Sequence, residues 1–294
     1  LHWEKFYKAT VFGSIANTEY EGEITAFGQA VVIRTVPDVV VADYTVGGGL
    51  GTAQRPASAA VSLAINEAKY FNVGLNLVQQ RQADIDLSSV FNDEGLIQLQ
   101  IAADTDMLQT IQSQVSSDNT GATAGVDSND INIGSVAVPL DLVADGATGA
   151  QKNVLDFFVD CGTVLDEQNV SPYGRWMVIP PWLKGLVMKS PLRIASLAGD
   201  GQSVVRNGRI GEIAGFMLYE SRNLLKTSSG SPTVSFNVMF GHSAGLTFAA
   251  QILENRLVVD QNDFGYLLQG LLVFGYKVIE PKYVGSAYVR KAGA

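Results

Sequence analysis

Gly241-His242-Ser243-Ala244-Gly245 fits the pattern G-x-S-x-G, in which a serine on a sharp strand-to-helix turn presents its hydroxyl as a nucleophile. The run before it predicts a strand over Thr233 to Phe240, and the apolar run after it predicts a short helix over Ala244 to Ile252, which is the context such a turn requires. The general base is missing. In that chain order the histidine follows the serine, whereas the two histidines here, His2 and His242, stand far before Ser243 or directly beside it. No HGGG-type oxyanion segment occurs, because Val46 precedes Gly47-Gly48-Gly49. A glycine-bounded turn is therefore the preferred reading, and a serine hydrolase using Ser243 is the catalytic alternative.

Other chemistry-bearing clusters lead less far. Gly47 to Gly51 is glycine-rich, but Thr52-Ala53-Gln54-Arg55-Pro56 follows it instead of a helix and no G-K-[ST] pair exists, so a loop tip is expected in place of a phosphate cradle. Asp84/Asp86 and Asp104/Asp106 are paired carboxylates. Residues two apart on a helix diverge, so the second pair is expected to decorate a solvated helix surface. Asp127-Ser128-Asn129-Asp130 opens like a calcium loop and then breaks at Ile131, without the required glycine and distal glutamate. Asn169-Val170-Ser171 runs into Pro172 and reads as a turn. Cys161 falls on the apolar side of a helix and reads as a small core residue. With one cysteine and two histidines, neither an internal disulfide nor a histidine-rich metal site is expected.

The elements that would position these residues form an α+β pattern. Residues 1–27 mix aromatics with polar residues without a sustained period and read as an arm. Ala30 to Val36 and Ala60 to Ile65 are β-rich runs, and between them lies a glycine-rich tip, giving a long β-excursion over 28–78. A lone two-stranded hairpin is marginal in water, so it must lie on its own domain or on another subunit. Ser88 or Ser89 can cap a long helix reaching about Ser117, with Ile97, Ile101, Leu108, Ile111 and Val115 on one face. Loop composition near 118–134 and 145–150 then marks a boundary. A helix from Gln151 towards Ser171, a strand at Trp176 to Ile179, a helix opened by Pro180-Pro181, and strands over Ile210 to Tyr219, Leu257 to Asp260 and Leu267 to Val278 complete the chain.

Composition narrows the function. The 294 residues carry 20 basic and 29 acidic side chains, a net charge of −9, which argues against a basic nucleic-acid binder. Charged residues are only 17% of the chain where about 25% is usual, so much of the surface is expected to be covered. No run approaches the 18 apolar residues of a membrane helix, and Glu4, Lys5 and Lys8 interrupt the start before any signal-peptide core forms; a soluble chain is expected.

The order of segments resembles the major capsid proteins of tailed bacteriophages. Gly28 to Asp38 through Asp43-Tyr44, then Ile65 to Phe71, resembles their extended loop. Leu165-Asp166-Glu167-Gln168-Asn169-Val170-Ser171-Pro172-Tyr173-Gly174-Arg175-Trp176 with Val178-Ile179-Pro180-Pro181 is the most specific part. Gly208 to Gly211, Ala214-Gly215-Phe216, Ser221-Arg222-Asn223 and Tyr276-Lys277-Val278 with Pro281 follow in order. The resemblance implies the Hong Kong 97-type fold. Its parts would be an N-terminal arm at 1–27, an extended loop at 28–78, a peripheral domain with the spine helix at 79–150, an axial domain at 151–250, and return strands of the peripheral domain at 251–294.

The implied function is self-assembly into hexamers and pentamers of an icosahedral shell around double-stranded DNA, without enzymatic activity or cofactor. The coat would be assembled in the host cytoplasm and reside in the virion, with portal, scaffolding and decoration or cement proteins as further partners and no membrane. Arg34, Asp38, Asp43, Tyr44, Arg55 and Phe71 are the expected subunit-interface residues. Some coats of this fold join subunits through a lysine on the extended loop. Here no lysine occurs between Lys8 and Lys69, so a non-covalent shell is expected. An encapsulin-like protein shell would share the fold and is the second structural reading.

Overall fold

The computed structural model describes residues 8, 10–18, 30–34, 37, 39–44, 46–47, 52–56, 60–82, 87–193, 211–228, 234–261 and 263–293. Strands β1 (Ala30–Arg34) and β2 (Ala60–Ala64) form an antiparallel pair with Ala30 opposite Ala64, as the two β-rich runs predict. β3 (Glu67–Asn76) continues from β2 and leads into α2 (Leu77–Gln82), and the long helix α3 covers Leu87–Thr110 before a 3-10 turn at Ile111–Gln114. Two short strands, β4 (Leu140–Val143) and β5 (Gln151–Asn153), precede α4 (Val154–Glu167). Then come β6 (Arg175–Ile179), α5 (Pro181–Lys189), β7 (Glu212–Ile213), β8 (Phe216–Glu220) and β9 (Lys226–Ser228). The chain closes with β10 (Val234–His242), β11 (Leu246–Val259), β12 (Gly265–Val278) and β13 (Val284–Lys291). A single turn, α1 (Phe12–Ile15), stands near the start.

These strands make two main sheets. One is three-stranded in the order β11-β12-β3, antiparallel throughout. The other has the order β5-β4-β13-β10-β6-β8-β7, with β9 also on β10. Its centre is buried on both faces, and alternation along β6 divides the cores. Met177 and Ile179 join Val238, Phe240, Ala287 and Val289 under α4 and α5. Trp176 and Val178 face the other way, with Met239 and Val284, onto Leu99, Met107 and Leu108 of α3 and Phe248 and Phe274 of the smaller sheet. α4 earns its place through Val154, Phe157, Phe158, Cys161, Val164 and Leu165, all buried at helical spacing.

Three sequence expectations change. No helix covers 244–252: a 3-10 turn at Ser243–Gly245 leads directly into β11, because ladder pairing with β12 from Leu246↔Val278 to Val259↔Tyr266 outweighs the local helical period. The expected strand at Leu257 to Asp260 is the end of β11. The strand over Ile210 to Tyr219 is broken into β7 and β8 by a turn in which Ala214 and Gly215 take φ of 51° and 79°. Within 251–294, β12 pairs with β11 and β3, and β13 joins β10 and β4 in the large sheet.

Candidate intersubunit surface

The excursion begins on a firm base. Ile33, Leu63 and Ile65 are buried against Ala249 and Val273, so β1 and β2 are seated on the three-stranded sheet. Beyond that base, cover ends: Val39, Val40, Val41, Tyr44 and Val46 are between 67% and 95% exposed. Among the described residues, nothing covers these five large apolar side chains, the kind of patch that marks an interaction surface. The two legs are tied by one side chain. Gln54 Oε1 accepts the Val40 N–H at 3.0 Å and Gln54 Nε2 donates to the Val40 carbonyl at 2.6 Å.

Of the expected interface residues, Arg34, Asp43, Tyr44 and Arg55 are exposed on this excursion, and Asp38 lies outside the described residues. Phe71 is half-buried within its own chain. Its ring lies over Gly95 of α3 and Gly270 of β12, where an added Cβ would come within 2.6 Å and 2.2 Å of it. These glycines admit the ring that pins β3 between helix and sheet. Lys69, two residues earlier on the same face of β3, reaches Asp106 at 3.4 Å, and the Tyr276 hydroxyl donates to the same carboxylate at 3.3 Å.

Asp104 departs from the expected solvated decoration. It is fully buried. Its Oδ1 accepts the N–H groups of Val11 and Phe12 at 2.8 and 2.9 Å, and its Oδ2 accepts Asn223 Nδ2 at 2.7 Å. One carboxylate on α3 thereby fastens the N-terminal segment and the loop after β8. Burial pushes its pKa up, against these hydrogen bonds. The N-terminal segment gains a second hold where Asn17 N–H donates to the Leu246 carbonyl at 2.8 Å and Phe248 N–H to the Asn17 carbonyl at 3.1 Å.

A polar seam ties the large sheet to the turns that follow α3. Asn119 Nδ2 donates to the carbonyls of Lys282 and Val284, and Asn237 Nδ2 donates to Ser286 Oγ and Gln112 Oε1. The Tyr288 hydroxyl also donates to Gln112. At the end of α4, Arg175 is 3% exposed and donates to the carbonyls of Ser171, Gly162 and Val170 and to Asp166. This explains why the polar run Leu165 to Arg175 folds as one unit.

The residues singled out for catalysis come apart. Ser243 sits between two strands, so the strand-to-helix elbow does not form. His242 Nδ1 accepts the Ala244 N–H at 3.1 Å and its ring packs edge-on to Tyr283. The motif's glycines serve packing, since a Cβ on Gly241 would lie 2.6 Å from the Tyr283 carbonyl oxygen and one on Gly245 would lie 2.7 Å from Tyr283 Cβ. The 127–130 loop is closed by Glu167, whose carboxylate accepts the N–H groups of Asp127 and Ser128. Cys161 is buried, and burial pushes its thiol pKa well up. Asp84 and Asp86 lie outside the described residues. Among the described residues no group of three or more His, Cys, Asp or Glu side chains could hold a metal, and no helix is long and apolar enough to cross a membrane.

No family model matches the sequence, and no curated protein matches it. Solved structures do. A chain of Mycobacterium phage Che8 superposes with a TM-score of 0.72 at 22% identity, over 97% of this chain and 93% of that one. The capsid structure of the cyanophage P-SCSP1u gives 0.71 at 14% identity, over 99% and 91%. The mature capsid of bacteriophage PhiM1 gives 0.61 at 15% identity, over 100% and 93%. Over nearly its whole length, this chain has the fold of phage capsid chains.

Proposed function

We propose that the protein is the major capsid protein of a tailed bacteriophage, with the Hong Kong 97-type fold, and that its work is to assemble into hexamers and pentamers of an icosahedral shell. The observation that carries this is the reach of the fold likeness, which covers at least 97% of this chain and 91% or more of each capsid-like chain compared. A fold shared by an enzyme and a coat through one common domain would leave long segments unmatched on one side.

In this reading 1–27 is the N-terminal arm and 28–78 the extended loop. The peripheral domain is α3 with β11 and β12, to which β3 joins the base of the extended loop, and the axial domain is α4 and α5 on the large sheet, including β4, β5 and β13. Arg34, Asp38, Asp43, Tyr44 and Arg55 meet a neighbouring subunit, and Phe71 contributes through the groove it lines beside β3. The shell encloses double-stranded DNA without reading its sequence, consistent with a net charge of −9. Portal, scaffolding and cement proteins are its further partners, the host cytoplasm its place of assembly and the virion its destination. Catalysis plays no part, a reading supported by the loss of the elbow geometry at Ser243.

Sedimentation of the purified chain tests this. Capsomers or closed particles are expected; a protein that remains monomeric at every concentration and salt condition, and hydrolyses esters, would overturn it.

A further inference from the structure

The three-stranded sheet has two unlike faces. Side chains alternate along each strand, so Asn255, Gly270 and Phe71 turn towards α3, where Asn255 Nδ2 donates to Asn92 Oδ1 at 3.1 Å and the Phe71 ring lies over Gly95. Their neighbours in sequence turn to the opposite face. Towards Val273 that face is covered by β1 and β2, through Ile33 and Leu63. Farther out it holds a cavity of about 260 Å³ lined by Tyr70, Asn72, Glu254, Arg256, Gln269 and Leu271.

These six side chains stand in two rows across the strands. Arg256 is opposite Gln269 and Gln269 opposite Asn72; Glu254 is opposite Leu271 and Leu271 opposite Tyr70. The first row is hydrogen-bonded from end to end, Arg256 Nε donating to Gln269 Oε1 at 2.8 Å and Gln269 Nε2 to Asn72 Oδ1 at 3.3 Å. Both ends of Gln269 are thus engaged in holding its neighbours. What they hold is unused: among the described residues no protein group bonds the terminal nitrogens of Arg256, Asn72 Nδ2, the Glu254 carboxylate or the Tyr70 hydroxyl. Tyr70 is 78% exposed, and Leu271, packed on the Ile33 and Leu63 cluster, is the apolar floor between them.

The balance of groups selects a ligand class. One guanidinium and one carboxylate cancel, so neither an anion nor a cation finds an excess of opposite charge. Donors at Arg256 and Asn72 flank an acceptor at Glu254, the arrangement that suits hydroxyls, each of which both donates and accepts. An aromatic ring and a leucine beside them suit a C–H face. Ligand cavities commonly measure about 300–1,000 Å³, so this one has room for a single small ring. We propose that the cavity binds one hexopyranose ring of a neutral glycan, its C–H face against Tyr70 and Leu271 and its hydroxyl edge on Arg256, Asn72 and Glu254. The site is built within one chain and does not depend on the shell-subunit reading.

Saturation-transfer difference NMR on the full-length protein, in whatever assembled state it takes, tests it. The ligands are the methyl glycosides of glucose, mannose and galactose and their 2-acetamido forms. At least one should receive saturation, strongest on the ring C–H protons of one face. Tyr70→Ala should abolish the transfer and Tyr70→Phe keep it, while Arg256→Ala and Glu254→Gln should each weaken binding about tenfold. No transfer to any of these sugars, or transfer that survives Tyr70→Ala, would overturn the site and leave the subunit reading intact. Tighter binding of glucuronate than of glucose would overturn the neutral assignment. Arg256→Ala or Glu254→Gln chains that fold but lose the wild-type assembly would give this face to a subunit contact and overturn the proposal too. A chain that passes saturation to sugar as expected but never assembles would overturn the subunit reading alone.

Discussion

Asp104 has no charge partner among its described contacts; it is held by two peptide N–H groups and one amide. Removing it leaves three buried donors without an acceptor, each costing roughly 1–3 kcal/mol. We expect Asp104→Ala to lower stability by about 3 kcal/mol or more in denaturant titration, and to expose the segment around Val11 to proteolysis. An unchanged midpoint would show that water replaces the carboxylate. The pH dependence has a definite sign. Because burial raises this pKa in the folded chain, Asp104's contribution is fully present below the ordinary aspartate range and is lost as pH rises through the raised value. Asp104→Asn should flatten that part of the stability–pH curve. None of this was legible in the sequence, where Asp104 and Asp106 look equivalent. What separates them is the docking of residues 93 and 119 positions away. The reading of Ser243 as a turn residue was legible in the sequence, in which no histidine follows it, and the strand on either side of it agrees. Ser243→Ala should assemble normally, and labelling of Ser243 by a fluorophosphonate would contradict this reading.

At the scale of elements, local pattern was enough wherever an element packs by its own period. α4 and α5, β6 and β10 of the large sheet and the β1/β2 pair all follow from runs of apolar residues with turn signals at their ends. It failed where pairing at long range decides. Leu246 to Ile252 has a helical spacing, yet it forms half of a strand because β12 lies alongside. β3 and β13 carry small and polar residues between apolar ones and are recognisable only from their partners. The excursion is the element whose removal should cost assembly and spare the fold, since its buried base at Ile33, Leu63 and Ile65 lies outside the tip. Deleting Thr45 to Ser58 should give a chain of near-normal melting temperature that does not assemble, read by thermal unfolding and sedimentation together. Normal shells from that deletion would remove the excursion from the interface.

For the molecule as a whole, the sparse charge, the exposed valines and the exposed apolar end of the three-stranded sheet at Leu257, Val259 and Phe264 would all be accounted for by neighbouring subunits in the proposed shell. The bonds between those subunits should be non-covalent. Arg34 and Arg55 are the basic residues of the loop ahead of Lys69, their guanidinium groups stay protonated, and Lys69 itself is engaged with Asp106 of its own chain. Boiling assembled particles in detergent under reducing conditions should release one coat band, and a ladder of multimers would refute this. The shell claim itself is tested most directly by cryo-electron microscopy of the particles formed by the full-length chain. We expect closed shells of five- and six-membered rings in which the excursion beyond its base at Ile33 and Leu63 crosses from each copy onto the next; isolated chains or dimers, with that tip folded back on its own body, would contradict it.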